Sequence, residues 1–348
     1  MKVTGVKVTP FAHDLPTRSR STRAMDAGTS CVVELSSDAG VSGIGVACCT
    51  NGAQIDNLVQ HVLKGEDPRG IAGLWQRMVN LQAKRTHGEP CHEAIAVLDV
   101  ALWDLKAKRE GQPLWKTLGG SRPRANACAS LTDAALDEAQ VSAWFERMAH
   151  DFGLRAGKLR LGLDPDKDLQ RLARTRAALS RAVAPPTLAI DLGQSWPTDA
   201  TIRNIRDMEQ EFDLAWVEGA CDSSNVAGLK QISNAISAAV SVGRGLGVGE
   251  FLPHFQHRSA DVIEIDIGRV GITGALQIAD AAFGYELPVT LTAAPGNIHA
   301  HLAGVMPSFM SLEVLDPASA SRLWASEVRI EDGWAIAGDA PGNGLSVK

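Results

Sequence analysis

The sequence predicts an α/β protein in which a (β/α) barrel follows a smaller α+β domain. The chain has 348 residues, which suits a barrel of about 250 residues with a companion domain. The first third reads as strands followed by helices, whereas from residue 125 onward short apolar strands alternate with helical stretches. Such alternation indicates parallel pairing. We expect an α+β domain over 1–122, completed by the tail at about 328–348, and a barrel over 123–327.

Composition excludes several classes of protein. Hydrophobic residues make up 45% of the chain, and its net charge is -6, which argues against a nucleic-acid-binding surface. No apolar run approaches the roughly 20 residues of a membrane helix. The N-terminus, MKVTGVKVTPF, alternates like a strand and lacks the apolar stretch of a signal peptide. The six cysteines form no CxxC pair. We therefore expect a cytoplasmic protein with free thiols.

The first domain begins with strand patterns and continues as helix. Val3, Val6 and Val8 lie on one strand, and residues 30–35 form another. Between them, HDLPTRSRSTRAMDAG is polar and is either a solvated loop or an anion-binding flap carrying Arg18, Arg20 and Arg23. A later helix has an apolar face formed by Ile95, Leu98, Leu102 and Leu105. It ends at Gly111, and Pro113 prevents its resumption.

Eight short apolar segments are the predicted barrel strands. One intervening helix has a clear start, with Asp164 as its cap and Pro165 in its first turn. Eight such units favour a barrel over an open sheet. The expected strands are Ala125–Ser130, Arg155–Leu161, Thr187–Leu192, Leu214–Glu218, Ala239–Gly243, Val262–Asp266, Pro288–Thr292 and Ser311–Val314.

Charged residues end most of these strands. Because the carboxyl ends of barrel strands face one mouth, their side chains should converge there. Charges that directly follow apolar residues are costly to bury unless they are paired. Any one of them could belong to a structural ion pair, but their convergence favours a functional site. In strand order they are Lys158 and Arg160, Asp191, Glu218, Arg244, Asp266 and Glu313.

Four segments together resemble one known family. AIAVLDVALWDLKAKREGQPLWKTLGG (94–120) resembles the end of the enolase-superfamily capping domain, and DIGRVGITGALQIAD (266–280) resembles the sixth barrel strand of the mandelate racemase and muconate lactonising group. LKGEDPRGIAGLWQRM and DAPGNG also fit. The resemblance implies a modified (β/α)₇β TIM-type barrel under an α+β cap, and a homo-oligomer. It also implies removal of the proton α to a substrate carboxylate, with Mg²⁺ stabilising the enediolate.

The family's site residues carry over only in part. Its first two metal ligands fall on Asp191 and Glu218, but Arg244 occupies the place of the third acid. Glu250, in the next Gly-Glu pair, would be a shifted ligand. The resemblance thus implies Mg²⁺ while Arg244 argues against it. We expect the Arg244 guanidinium to replace the ion and pair with Asp191 and Glu218.

The acid–base residues also depart from the family pattern. The family's Lys-x-Lys pair is Lys158-x-Arg160, and an arginine is a poor base. Asp266 matches the acid of an Asp–His pair, but Ala293 stands where its histidine should be, and His299 and His301 follow on an expected helix. Glu313 matches the eighth-strand acid, and Gly193 replaces an asparagine.

Three functional readings follow. The first is an enzyme that dehydrates or epimerises a hydroxy or sugar acid, with Lys158 as base if Arg160 lowers its pKa, and with Asp266 on the other face. Arg18 and Arg20 would then hold a distal anionic group, while Arg244 and Glu313 contact substrate. The second is a pseudoenzyme that binds a carboxylate without turnover. The third is a fold kept for assembly or regulation. Each of the first two predicts a small-molecule carboxylate partner and neither nucleic acid nor membrane.

Overall fold

The structure, a computed structural model, describes most of the chain. The described residues are 1–11, 30–47, 52–83, 92–133, 136–162, 164–315, 317 and 323–348. Within these ranges, no helix combines the length and apolar character needed to cross a membrane.

The N-terminal part is an antiparallel three-stranded sheet covered by helices. Its strands pair in the order β1-β2-β3, and a π-helical turn, Val59–Leu63, extends α1. Gly43 and Gly45 of β3 allow the backbone of α3 to approach closely, since a Cβ at Gly43 would lie 1.9 Å from the Ala101 carbonyl oxygen. The elements are β1 Val3–Phe11, β2 Ser30–Ser37, β3 Ser42–Ala47, α1 Gly52–Leu58, α2 Ile71–Ala83, α3 His92–Glu110 and α4 Leu114–Thr117.

Eight parallel strands then close into a barrel. They pair in sequence order, and the last pairs with the first to complete the ring. The elements are β4 Arg124–Leu131, α5 Glu138–Phe152, β5 Ala156–Arg160, α6 Pro165–Leu179, β6 Thr187–Asp191, α7 Thr198–Glu209, β7 Leu214–Glu218, α8 Val226–Ser233, β8 Ala239–Val242, α9 Leu252–His257, β9 Val262–Ile265, α10 Ile267–Gly284, β10 Val289–Leu291 and β11 Phe309–Val314.

Seven helical connections join these eight strands. A 3₁₀ turn at Val248–Phe251 leads into the short α9, and a 3₁₀ helix at Pro295–His301 joins β10 to β11. The predicted (β/α)₇β barrel is therefore confirmed, and each of the eight predicted strands is present with ends that differ by at most two residues.

The strand register brings the charged residues to one level. Arg160 of β5 lies opposite Asp191 of β6, and Asp191 lies opposite Glu218 of β7. Below them, Cys128, Ala189 and Trp216 fill the inside of the barrel. This apolar floor leaves the charged side chains above it at the carboxyl-terminal mouth.

Buried hydrogen bonds tie the N-terminal part to the barrel. Asp99 of α3 accepts from the backbone N and Oγ1 of Thr273 on α10, at 2.8 and 2.6 Å. Gly271, with φ +71°, brings its backbone against Asp99, since a Cβ there would lie 2.6 Å from Oδ2. The Asn343 side chain donates from Nδ2 to the Ile44 carbonyl oxygen, and the Asn343 backbone N donates to Asp104 Oδ1.

The C-terminal tail adds four short strands. β14 pairs antiparallel with β4 of the barrel, while β12 pairs with β15. Gly342 and Asn343 bond to Leu114 and Asp104 of the N-terminal part. The tail therefore touches both parts of the chain, and the division at residue 122 stays a prediction. The strands are β12 Trp324–Ser326, β13 Arg329–Glu331, β14 Trp334–Ile336 and β15 Leu345–Val347.

Candidate active site

Three glutamates meet inside the barrel mouth. Glu218 ends β7, Glu264 lies within β9 and Glu313 lies near the end of β11. All three are buried, and one carboxylate oxygen from each lies within 4.8 Å of the others. By spacing alone, this triad could hold a metal ion.

The Lys158 ammonium lies among these carboxylates. Its Nζ makes very short contacts with Glu218 Oε2 and Glu313 Oε1 and lies 3.9 Å from Glu264 Oε1. Only 1% of Lys158 is exposed. Burial alone would lower the pKa of Lys158, but Glu218 and Glu313 outweigh burial and raise it. The lowered pKa expected from its neighbour Arg160 is therefore not found, because the carboxylates are closer partners.

Arg244 closes the same cluster from the solvent side. It follows β8, and its Nη2 lies 3.1 Å from Glu264 Oε1, 3.0 Å from Glu313 Oε1 and 3.7 Å from Glu218 Oε2. Its side chain is 41% exposed. The expected pairing with Asp191 is not among the ion pairs of the described residues, since Asp191 has a nearer partner.

That nearer partner is Arg160. Its Nη1 lies 2.6 Å from Asp191 Oδ2, and Asp191 Oδ1 accepts from the Gly193 backbone N at 2.8 Å. Although burial opposes it, Lys158, Arg244 and Arg160 together lower the pKa of Asp191. Gly193 has φ +57°, and a Cβ there would lie 2.1 Å from Arg160 Nη2. The absence of a side chain at Gly193 therefore makes room for the arginine.

The three glutamates of the triad differ in the direction in which their pKa values are shifted. Burial alone would raise the pKa of Glu313, but Lys158 and Arg244 hold it at about 2. Burial and the charge of Glu218 raise the pKa of Glu264 well above its ordinary value, more than Arg244 lowers it. Burial also raises the pKa of Glu218, against the opposing charge of Lys158. The cluster therefore combines an ionised Glu313 with a Glu264 that holds a proton readily.

Asp266 is positioned at the mouth as the N-cap of α10. Its Oδ1 accepts from the Gly268 backbone N at 2.9 Å. Burial raises its pKa, and the Arg244 guanidinium partly opposes that rise. A half-buried carboxyl whose pKa moves toward neutrality suits general acid–base chemistry.

His299 and His301 do not supply the histidine that Asp266 lacks. Both are buried, in the 3₁₀ helix that follows β10. His299 Nε2 lies 2.9 Å from the Glu313 carbonyl oxygen, and His301 Nδ1 accepts from the Trp115 backbone N at 3.2 Å. Burial lowers the pKa of each to about 4. Neutral rings that bond to backbone groups fit a structural role.

The structure brings most of the predicted site residues to one mouth. Lys158, Arg160, Asp191, Glu218, Arg244, Asp266 and Glu313 all lie there. Arg18 and Arg20, with Arg23, lie outside the described residues. Glu250 is exposed and accepts from the Gly247 backbone N, so it lies apart from the triad.

Sequence reasoning passed over two residues of this site. Glu264 lies within β9, two residues before Asp266, so an acid within the apolar run VIEI was the available signal. Trp216 donates from Nε1 to Glu218 Oε1 at 3.1 Å. Its position two residues before Glu218 was a similar signal, since alternate strand residues share a face.

The carboxylate oxygens of the triad are already bonded to two protein cations. Mg²⁺ prefers near-octahedral oxygen ligands at about 2.0–2.1 Å. Here Glu313 Oε1 accepts from both Lys158 and Arg244, and Glu218 Oε2 contacts Lys158. Glu264 accepts from the Arg244 backbone N and side chain. A metal ion would have to displace two protein cations.

Family models and relatives identify the lineage of the chain. Residues 3–119 match the N-terminal domain of mandelate racemase / muconate lactonizing enzyme, and residues 140–348 match the enolase C-terminal domain-like family. A curated relative, L-talarate/galactarate dehydratase of Salmonella typhimurium, is 29% identical over 82% of this chain and 71% of its own. Other curated relatives include a cycloisomerase and an epimerase.

Solved structures agree with this lineage. A racemase from Streptomyces coelicolor with bound magnesium superposes with a TM-score of 0.86 at 26% identity, covering 99% of this chain and 97% of its own. L-Talarate dehydratase from Polaromonas, in complex with Mg and L-glucarate, gives a TM-score of 0.83 at 26% identity, covering 100% and 95%. The chain therefore belongs to the mandelate racemase and muconate lactonizing enzyme family of the enolase superfamily, whose curated relatives are dehydratases, isomerases and epimerases.

Proposed function

We propose that the chain acts on a hydroxy or sugar carboxylic acid by removing the proton α to its carboxylate, with an altered metal site. The reaction would be of the dehydratase or the racemase/epimerase type. The observation that carries this proposal is Arg244, a half-exposed guanidinium at the barrel mouth, anchored from below by buried carboxylates.

Arg244 is the group that would bind the substrate carboxylate. Among the described residues, its side-chain hydrogen bonds all run through Nη2, which leaves Nη1 and Nε for a ligand. A guanidinium binds a carboxylate through two parallel hydrogen bonds. Glu264 and Glu313 fix the orientation of the fork, and fixed donors stabilise developing negative charge better than mobile ones.

Asp266 is the best placed group to take the α-proton. Lys158 and Arg160 are each held by carboxylates at hydrogen-bonding distance, so neither is free to accept a proton. Asp266 has a raised pKa and lies close enough to Arg244 for the two charges to interact. A base beside the bound carboxylate is what α-proton abstraction needs. Removal of the proton leaves its electron pair on the carbon, as an enediolate beside the Arg244 cation.

The relatives support the substrate class. The Salmonella relative is named for talarate and galactarate, and the Polaromonas structure holds L-glucarate. All three are polyhydroxylated acids with a proton α to a carboxylate. Arg18 and Arg20 stay predictions for a distal anionic group of such a substrate. The homo-oligomer and the cytoplasmic location implied by the sequence also stay predictions.

A second candidate is a pseudoenzyme that binds a carboxylate without turnover. One observation favours it: the two residues at the family's base positions, Lys158 and Arg160, are both engaged in ion pairs. On this reading Arg244 binds the ligand and no group moves a proton.

One screen separates the two candidates. The purified protein would be incubated with a library of hydroxy and sugar acids. Binding is read from shifts in the melting temperature, and turnover from new proton NMR signals. Acids that bind and are converted support the enzyme, and acids that bind unchanged support the pseudoenzyme. Loss of binding in Arg244→Gln, with binding kept in Arg206→Gln on the outer surface of α7, would show that binding occurs at the mouth.

A further inference from the structure

Each of the three buried glutamates of the barrel mouth meets the same two cations. Lys158 Nζ contacts Glu218 and Glu313 directly and lies 3.9 Å from Glu264. Arg244 Nη2 lies between 3.0 and 3.7 Å from all three. The two side chains come from separate elements, β5 and the segment after β8, so the barrel itself brings them together.

Lys158 and Arg244 donate hydrogen bonds to carboxylate oxygens that a metal ion would use as ligands. A carboxylate oxygen has two lone pairs, and Glu313 Oε1 gives one to Lys158 and the other to Arg244. Glu313 Oε2 also accepts from Arg244, at 3.1 Å. Glu218 Oε1 accepts from Trp216 Nε1 at 3.1 Å. Each of the six carboxylate oxygens of the triad therefore already accepts at least one hydrogen bond from the chain itself.

The charge balance points the same way. Two monovalent cations carry the same total charge as one divalent ion, and buried carboxylates require such compensation. A divalent ion added to this cluster would lie among two positive groups that are themselves buried or held in place. In a protein interior, the repulsion between the divalent ion and these two neighbouring cations would be strong.

We propose that Lys158 and Arg244 together replace the divalent ion, so that this chain binds no metal at the barrel mouth. Lys158 fills the interior position between the carboxylates, and Arg244 covers them on the solvent side. The triad is thus a fixed internal ion network. This inference goes beyond the proposed function and does not depend on it, because metal binding is measured without a substrate.

The test is a titration with Mn²⁺, which favours the same oxygen ligands as Mg²⁺. Bound and free Mn²⁺ are distinguished by electron paramagnetic resonance of the free ion. We expect no saturable site in the chelator-treated wild-type protein. A single saturable site in the wild type would overturn the proposal.

A charge-reversal variant adds a prediction of gained metal binding to the prediction that the wild type binds none. Arg244→Glu removes one cation and adds an acid, so we expect it to gain one Mn²⁺ site. Arg206→Glu makes the same charge change on the exposed surface of α7 and should gain none. A folded Arg244→Glu protein that binds no Mn²⁺ would count against the proposal.

Melting curves decide the matter if Arg244→Glu fails to fold. Arg244→Gln removes the cation while keeping a polar but shorter side chain. Its melting temperature should rise when Mg²⁺ is added, whereas that of the wild type should be the same in Mg²⁺ and in chelator. A rise in the wild type equal to that in Arg244→Gln would contradict the replacement of the ion by side chains.

Discussion

Arg244 Nη2 donates to both carboxylate oxygens of Glu313, at 3.0 Å from Oε1 and 3.1 Å from Oε2. The contact joins the segment after β8 to β11 across the barrel mouth, three strands apart in the ring. Lys158 contacts the same carboxylate from below. Glu313 therefore accepts hydrogen bonds from both cations, and the stability of the mouth should depend on its charge.

Glu313→Gln should destabilise the protein by about 3–5 kcal/mol, because it leaves two cations with fewer buried counter-charges. The measurement is the free energy of unfolding in urea at neutral pH. Glu331→Gln is the matched control, since its ion pair with Arg329 is more than half exposed on both sides, and such pairs contribute about 0–1 kcal/mol. Equal effects of the two variants would show that the Glu313 network is not a stabilising one.

Lys158→Met should change how the free energy of unfolding depends on pH in the acidic range. The folded-state pKa of Glu313 is about 2, below its ordinary 4.5. Its ionisation therefore stabilises the fold above pH 4.5, and that contribution is lost as the pH falls toward 2. Without Lys158 the folded pKa should rise, so the loss of stability between pH 5 and pH 3 should be smaller than in the wild type.

Unfolding curves at several pH values measure this slope. Lys7→Met is the control, because Lys7 forms an ion pair with Glu34 whose lysine is largely exposed. We expect the control to keep the wild-type slope. An unchanged slope in Lys158→Met as well would mean that Lys158 does not set the pKa of Glu313.

Asp99→Asn should reduce the loss of stability at rising pH. Burial raises the pKa of Asp99 from its ordinary 3.8 to about 7, against the hydrogen bonds from Thr273. Between these two values the folded state holds a proton that the unfolded state has released, so stability falls as the pH rises from 3.8 to about 7 and levels off above it. The difference amounts to at most about 4 kcal/mol. Asn cannot titrate, so this part of the pH dependence should vanish.

Thermal unfolding between pH 5 and pH 8 provides the comparison. Asp207→Asn, on the exposed surface of α7, is the matched control and should follow the wild type. If Asp99→Asn and the wild type lose the same stability over this range, the Asp99–Thr273 link between α3 and α10 does not carry a titrating proton.

The fold could be predicted from sequence because its signals are local. Each barrel strand is a short apolar run with a helix or turn beside it, and the charged residue that ends a strand marks its carboxyl end. Thus Leu214–Glu218 was predicted with its observed bounds. The strand ends that differed, such as Arg155 and Leu161 around β5, depend on where ladder hydrogen bonds stop, which sequence alone does not specify.

The ion pairs within the site were less predictable, because they depend on how the folded strands place the charged side chains relative to one another. Sequence placed Arg244 with Asp191 by analogy with a metal centre, but Arg160 is the direct neighbour of Asp191 in the β5–β6 register. Glu264 was passed over since Asp266 matched a family position two residues later. Partner choice among several charges at one mouth is set by side-chain reach, and no local pattern encodes it.

Exchange of solvent deuterium into the α-carbon of a bound acid tests the proposed chemistry most directly. The protein would be incubated in D₂O, with chelator present, with each acid that raises its melting temperature, and the α-proton signal followed by NMR. We predict loss of that signal for at least one hydroxy or sugar acid, and its retention with Asp266→Asn. Retention of the α-proton in every acid that binds the wild type would contradict α-proton abstraction and leave the carboxylate-binding pseudoenzyme.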